Sequence, residues 1–398
     1  PFVVAVQGEE GLQPVPYTER WPEQMAAAAT ALRQAAAAAP EEEAALRAYL
    51  QAAASAFQTN DWFAADQAWA AGRVSDPSIR VAILDTGIDF LHRELEGLVD
   101  LESSASFVEG EPDIDDHHFH GTHVASTVAT NSVTIAGIAP HSTLIAVKVL
   151  SFQGSGTFEG VIGGIVHAAD VDAHVINMSL GAQFDRRLEG ARELIEATRR
   201  GVKYAEKAGT IVISAAGNSE TNLDDAGAPI VALPCMVSTV CVAATGPLNG
   251  QFDENGPIVT ANHDQPAYYT NYGLSAIHVA APGGNANPDD PDQAQGTWRD
   301  EDLIVGALAG RCLSPGLAPF CTVNNQPLVN FYVFAAGTSM AAPHVSGAAA
   351  MIQAAHGGVL SVDEVFAILT GTADDVGEPG PDPFSNHGRI NVLSAVTH

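Results

Sequence analysis

Residues Val333–Ile352, VFAAGTSMAAPHVSGAAAMI, put one serine at the head of an apolar, Ala-rich helical run. Gly337-Thr338 reads as a small-residue turn that delivers Ser339 to the start of that helix. Pro343 breaks a helix interior but is tolerated in a first turn, where its missing N–H would be unpaired anyway. The helix is therefore expected to begin just ahead of it. Unpaired N–H groups and the dipole at that end favour developing negative charge. Such a position suits a nucleophilic serine, and it suits an ordinary N-cap equally well.

Two other stretches bear on that choice. In Arg80–Phe90, RVAILDTGIDF, the apolar run Val81–Leu84 reads as a buried parallel strand ending on Asp85. An acid at the C-terminal end of such a strand lies where open α/β sheets place their ligands. His117–Ala129, HHFHGTHVASTVA, sets His120 just ahead of a small-residue helix that carries His123 one turn later.

Three motifs stand in order: DTGID at Asp85–Asp89, HGTHVAS at His120–Ser126 and GTSMAAPHVSG at Gly337–Gly347. Between them come GIAPHSTLIAVKVL (Gly137–Leu150), GSGTF (Gly154–Phe158), VINMSLG (Val175–Gly181) and VISAAGNS (Val212–Ser219). On these blocks, from about Ala70 to the C-terminus, the chain resembles the subtilisin-like serine proteases, the subtilases. The order Asp85, His120, Ser339 is also the triad order of subtilisin.

The resemblance implies a secreted serine endopeptidase. Ser339 would be the nucleophile and His120 its base. Asp85 would hold the other ring nitrogen and stabilise the imidazolium. Asn218 and the Ser339 N–H would be the oxyanion donors. By position, Gly154, Ser155, Gly156, Ser179, Leu180 and Gly181 would flank an extended peptide by strand-edge pairing. Ala215, Ala216 and Gly217 would line the pocket for the residue before the scissile bond. Small residues there imply a roomy apolar pocket with broad or hydrophobic preference. Asp224 or Asp225, should either reach the pocket floor, would favour a basic residue instead.

Catalysis needs no cofactor on this reading. A structural calcium is implied by the family alone. Thr130–Gly137, where many relatives wrap that ion, is shortened, with Asn131 left as a candidate ligand. Asp113, Asp115 and Asp116, and Asp289, Asp290 and Asp292, are other acidic candidates. Ser126 stands where the family usually has glycine.

The chain of 398 residues alternates short apolar strands with helical stretches from Ser75 onward. The expected fold is α/β: a three-layer parallel sheet with helices on both faces. Strands are expected at Val81–Leu84, Thr143–Val149, Val175–Met178, Thr210–Ala215, Val240–Ala243 and His278–Ala280. Helices are expected at His123–Thr130, Phe158–Asp170, Arg187–Ala208, Ser339–His356 and Ser361–Gly371. Residues 73–398 form the catalytic domain. Residues 1–72 read as a mostly helical extension, with helices at Met25–Ala39 and Glu41–Phe57 and strand signal only at Phe2–Val6. Trp62, Phe63 and Trp69 are its expected anchors. An inhibitory pro-region is the other reading of this segment.

A net charge of −30, with Lys148, Lys203 and Lys207 the only lysines, excludes nucleic acid and anionic membrane as partners. Protein or peptide substrates and a monomeric state are expected. No apolar run is long enough to span a bilayer. Pro1–Gln7 lacks a signal peptide's basic region, so a targeting segment is read as already removed. The pairs Cys235/Cys241 and Cys312/Cys321 suggest two local disulfides and an oxidising compartment.

Rival chemistries are poorly supplied. Asp85-Thr86-Gly87 matches an aspartic-protease signature, but no second such carboxylate motif exists for the dyad. His117, His118, His120 and His123 lack the H-E-x-x-H zinc pattern. A non-catalytic binding or structural protein on a subtilase scaffold is the remaining alternative.

Overall fold

The structure is a computed structural model. It describes all residues except 1–2, 9–10, 40–43, 60–75, 186, 226–229, 234, 238, 249–250, 254–255, 259–261, 286–302, 311–321, 324–325 and 328. Contacts divide the chain into two compact units, Pro1–Val74 and Ser75–His398.

Among its described residues the first unit holds an antiparallel hairpin, β1 (Val3–Gly8) and β2 (Gly11–Pro16), a single helical turn at Tyr17–Arg20, and the longer helices α1 (Pro22–Ala38) and α2 (Ala44–Thr59). The helices were legible as Ala-rich runs, whereas β2, GLQPVP, carries two prolines and gave no strand pattern. Ala53 and Ala56 are buried against Leu32 and Tyr49. The expected anchors Trp62, Phe63 and Trp69, and the acids Glu41–Glu43, lie outside the described residues.

In the second unit the elements follow as β3 (Arg80–Asp85), β4 (Ala105–Ser106), α3 (His120–Val128), β5 (Thr143–Lys148), α4 (Phe158–Asp170) and β6 (Val175–Met178). Then come β7 (Ala182–Asp185), α5 (Ala191–Ala208), β8 (Ile211–Ala215), β9 (Ile230–Leu233), β10 (Val240–Leu248), β11 (Asn262–Pro266) and β12 (Val279–Pro282). The chain continues through β13 (Ile304–Ala307), β14 (Tyr332–Ala335), α6 (Thr338–Ala355) and α7 (Val362–Gly371).

The main sheet runs β4–β5–β3–β6–β8–β10–β11, with β12 also on β10. Every pairing in it is parallel except β10 with β11. Residues of β3 alternate between two cores. Val81 and Ile83 pack with α3 and α6; Ala82 and Leu84 pack with α4 and α5. Both faces are thus covered, which is why these strands read as unbroken apolar runs. Each fully buried large aliphatic side chain contributes about 1.5–3 kcal/mol. The layers are helix, sheet, helix, as expected.

Strand order also locates the site. The chain crosses from β5 on one side of β3 to β6 on the other, so the sheet has its switch point at β3. Ligands of open α/β sheets bind outside the carboxyl ends of strands at such a point. Asp85 is the last residue of β3, Ser179 follows β6, and Ala216–Asn218 follow β8.

Candidate active site

The buried Asp85 carboxylate accepts the Thr86 N–H at 2.8 Å and a hydrogen bond from His120 Nδ1 at 2.7 Å, both on Oδ1. Because a carboxylate only accepts, His120 Nδ1 carries the proton and Nε2 is left as the base. Burial lowers the His120 pKa, but the charge and hydrogen bond of Asp85, with Asp116 beyond, outweigh it and raise the value above 6.5.

His120 opens α3 rather than preceding it. The residue before it, Phe119, has φ +140°, a conformation L-residues rarely adopt and one that costs about 1–3 kcal/mol. Asp116 holds this turn. Its Oδ1 accepts Thr86 Oγ1 and the N–H groups of His118 and Phe119, and its Oδ2 accepts the N–H and hydroxyl of Thr122. Asp116 was a candidate calcium ligand; its carboxylate is instead buried and taken up by these five donors.

The four histidines named for zinc have separate partners. His117 faces Asp113, His120 faces Asp85, and His118 stacks on Phe119. His123 is fully buried, with Nε2 on the Ile304 carbonyl, and burial pushes its pKa down to about 4. It is a neutral core histidine.

Ser339 is the second residue of α6. Its Oγ donates to the Ser179 carbonyl at 3.0 Å rather than to His120, and the Ser179 hydroxyl donates back to the Ser339 carbonyl at 2.7 Å. Pro343 explains the second bond. It lies inside α6 and not in the first turn, contrary to expectation. Lacking an N–H, it leaves the carbonyl four residues earlier, that of Ser339, without its helical donor. Asn177 Nδ2 donates to Ser179 Oγ and Ser346 donates to Asn177 Oδ1, so the end of β6 is tied to α6.

Asn218 Oδ1 accepts both the N–H and the hydroxyl of Thr338, at 2.9 and 2.8 Å. This orients the side-chain amide and leaves Nδ2 as its donor, near Gly337. Gly217 has φ +97°, and a Cβ there would lie 2.6 Å from Asn271 Nδ2. Asn271 in turn donates to the Ala216 carbonyl and accepts the N–H groups of Ser219 and Thr221. Thr338 was visible within its motif; Asn271, far along the chain, gave no local signal.

A cleft of about 450 Å³ is lined by His120 together with Gly154, Ser155, Gly156, Ser179, Leu180 and Gly181. A pocket of about 210 Å³ adjoins it, lined by Leu180, Gly181, Ala215, Ala216, Gly217, Asn218, Leu233 and Ser339 among others. Leu180 and Gly181 thus border both. Asp224 is not part of that lining. Its carboxylate accepts the Ser275 N–H and hydroxyl. Leu233, unforeseen, forms a wall in place of an acid.

A sequence model of the subtilase family matches residues 76–388. The chain belongs to the subtilase family. Its members are serine endopeptidases that need no cofactor for catalysis. This subtilase is 33% identical to subtilisin DY of Bacillus licheniformis over 80% of its own length and 91% of that protein. It is 32% identical to the thermophilic serine proteinase of Bacillus sp. (strain AK1) over 84% of its length, and spans 65% of that longer relative. The solved structure of a lanthipeptide protease superposes with a TM-score of 0.68 at 27% identity, covering 84% of this chain and 94% of that one.

The subtilase has a disulfide between Cys235 and Cys241. Cys312 and Cys321 lie outside the described residues, as do Asp289, Asp290 and Asp292. Among the described helices none is long and apolar enough to cross a membrane. The calcium-wrapping stretch of relatives does not fit a cation here: in Thr130–Gly137 the N–H groups of Val133, Thr134 and Ile135 converge on the buried Glu94 carboxylate. The described residues that could hold an ion are Asp113, Asp115 and His117, with ligand atoms within 4.8 Å of one another. Lys148 Nζ already stands 3.7 Å from Asp113 and 2.8 Å from the Asp115 carbonyl.

Proposed function

We propose that this subtilase is a secreted, monomeric endopeptidase that hydrolyses peptide bonds through an acyl-enzyme on Ser339. The observation that carries this reading is the 2.7 Å Asp85–His120 hydrogen bond at the edge of the cleft that adjoins the Ser339 pocket. The Ser339 hydroxyl leaves the Ser179 carbonyl, by rotation about one side-chain bond, and gives its proton to His120 Nε2 as Oγ attacks the substrate carbonyl. Asp85 fixes the Nδ1–H tautomer and stabilises the imidazolium. Asn218 Nδ2 and the Ser339 N–H, a first-turn donor of α6 with no helical acceptor, meet the oxyanion. His120 then protonates the leaving amine, and water repeats the sequence to release the acid.

The peptide lies extended between 154–156 and 179–181, with the residue before the scissile bond in the Ala215–Gly217 pocket. Small residues and two leucines there favour a medium-sized apolar side chain. A mixed peptide library reads this directly: cuts are expected mainly after Leu, Met and Ala-sized residues. A profile dominated by Lys or Arg would contradict it. Residues 1–72 act as an N-terminal extension of a catalytic domain of 73–398. The Cys235–Cys241 disulfide is the feature that supports an oxidising, extracellular setting.

A structural calcium is a separable part of the reading, with Asp113, Asp115 and His117 as its place. Melting with and without EDTA tests it. A lower melting temperature in EDTA supports a bound ion, and an unchanged one removes calcium from the account.

A further inference from the structure

In Thr130–Gly137 this chain has built the loop around an anion. Glu94 is fully buried. Its Oε2 accepts the Val133 N–H at 2.9 Å, and its Oε1 accepts the N–H groups of Thr134 at 2.7 Å and Ile135 at 3.3 Å. The Tyr332 hydroxyl adds a fourth donor at 2.6 Å to Oε1. The Asn131 N–H closes on the Glu94 carbonyl at 2.7 Å. Asn131, the candidate ligand left in this stretch, spends its side-chain Nδ2 on the carbonyls of Arg93 and Glu96. Calcium takes six to eight oxygen ligands. What converges here is a run of consecutive backbone donors, an anion-binding concavity, already filled by a carboxylate. Arg93 stands alongside, donating to Thr134 Oγ1 and Tyr332 Oη with its guanidinium over the Tyr332 ring, so a cation is already present as well.

We propose that Glu94 is a built-in anion that does the work of a structural cation, so that the 130–137 segment keeps its fold without divalent metal. The arrangement reaches both halves of the active site. Past the loop, Ile138 and Ala139 donate to the last carbonyls of α3, the helix that His120 opens. Tyr332 is the first residue of β14, which leads into the turn before Ser339. The carboxylate therefore braces the segment behind the base against the strand ahead of the nucleophile.

Hydrogen exchange of the 130–137 amides tests this in the full-length Ser339→Ala protein, which does not digest itself. Exchange of this segment is expected to be the same in EDTA and in saturating calcium. Glu94→Gln puts an amide donor against the loop's own donors and is expected to speed exchange there about tenfold or more in both media. Faster exchange of this segment in EDTA without substitution, or unchanged protection in Glu94→Gln, overturns the proposal. Should Glu94→Gln fail to fold, Tyr332→Phe removes a single donor: a smaller, calcium-independent rise is expected, and a rise that calcium reverses overturns the proposal. A melting change in EDTA that leaves 130–137 exchange untouched belongs to another site and supports it.

Discussion

Ser339→Ala lowers kcat by about 10⁶-fold while leaving the fold in place, the scale measured when the serine of subtilisin itself is removed. The size follows from the chemistry: without Oγ no acyl-enzyme forms, and only the oxyanion donors and substrate binding remain to act on a water attack. Those residual contributions are worth about 10³–10⁴ over the uncatalysed rate. The fold survives because the hydroxyl makes one hydrogen bond, to the Ser179 carbonyl, worth about 0.5–1.5 kcal/mol. The clamp on the Ser339 main chain comes from the Ser179 hydroxyl and is untouched. Unchanged far-ultraviolet circular dichroism and a melting temperature close to the parent's, alongside lost peptide hydrolysis, are the expected results. Hydrolysis at more than about a thousandth of the parent rate would move the nucleophile elsewhere.

His120→Ala has a comparable effect on kcat, and the double variant with Ser339→Ala is no worse than either alone, because the two groups act as one unit. The two differ in stability. Removing the ring leaves the buried Asp85 carboxylate with only the Thr86 N–H, since Asp85 Oδ2 has no partner. Leaving a buried acceptor unsatisfied costs about 1–3 kcal/mol, so His120→Ala melts lower than Ser339→Ala. Its deficit also depends on pH. The His120 pKa is raised in the folded state. Its stabilising share is therefore complete below the unfolded value of 6.5 and is lost as pH rises through the folded value. The melting gap between parent and His120→Ala is accordingly widest in mild acid and narrows in alkali. The parent's activity shows the opposite limb: kcat/KM rises with pH through a pKa above 6.5, because only neutral His120 accepts the proton. A gap that widens with alkali would contradict the assigned pairing.

The inner strands of the main sheet, β3, β5, β6, β8, β10 and β12, were legible because a strand buried on both faces writes itself as an apolar run, whereas its edge strands β4 and β11 were not. Nor were the outer ribbons. Val305 of β13 and Phe334 of β14 are exposed, and Asn262–Pro266 pairs with β10 through a sequence, NHDQP, that has no strand pattern. The site divides along similar lines. Asp85, His120, Ser339 and Asn218 sit inside contiguous motifs, so their positions could be named. Asn271, which shapes the Ala216–Ser219 loop from 52 residues away, and Asp116, whose donors include a threonine 30 residues earlier, act through contacts that only folding creates. Pro343 misled because its neighbourhood was judged as a helix in isolation. Inside the fold, the carbonyl it leaves free has a hydroxyl waiting on the next element. Glu94 gave no signal either, because the donors that converge on it, the N–H groups of 133–135 and the Tyr332 hydroxyl, are brought together only by folding.

Labelling by a fluorophosphonate probe followed by peptide mapping reads the assembled site itself, because it needs the nucleophile, its base and the oxyanion donors together. A single adduct is expected on the peptide carrying Ser339, formed more slowly in acid and absent in His120→Ala. An adduct on any other residue, or undiminished labelling of Ser339 in the His120→Ala protein, would contradict it.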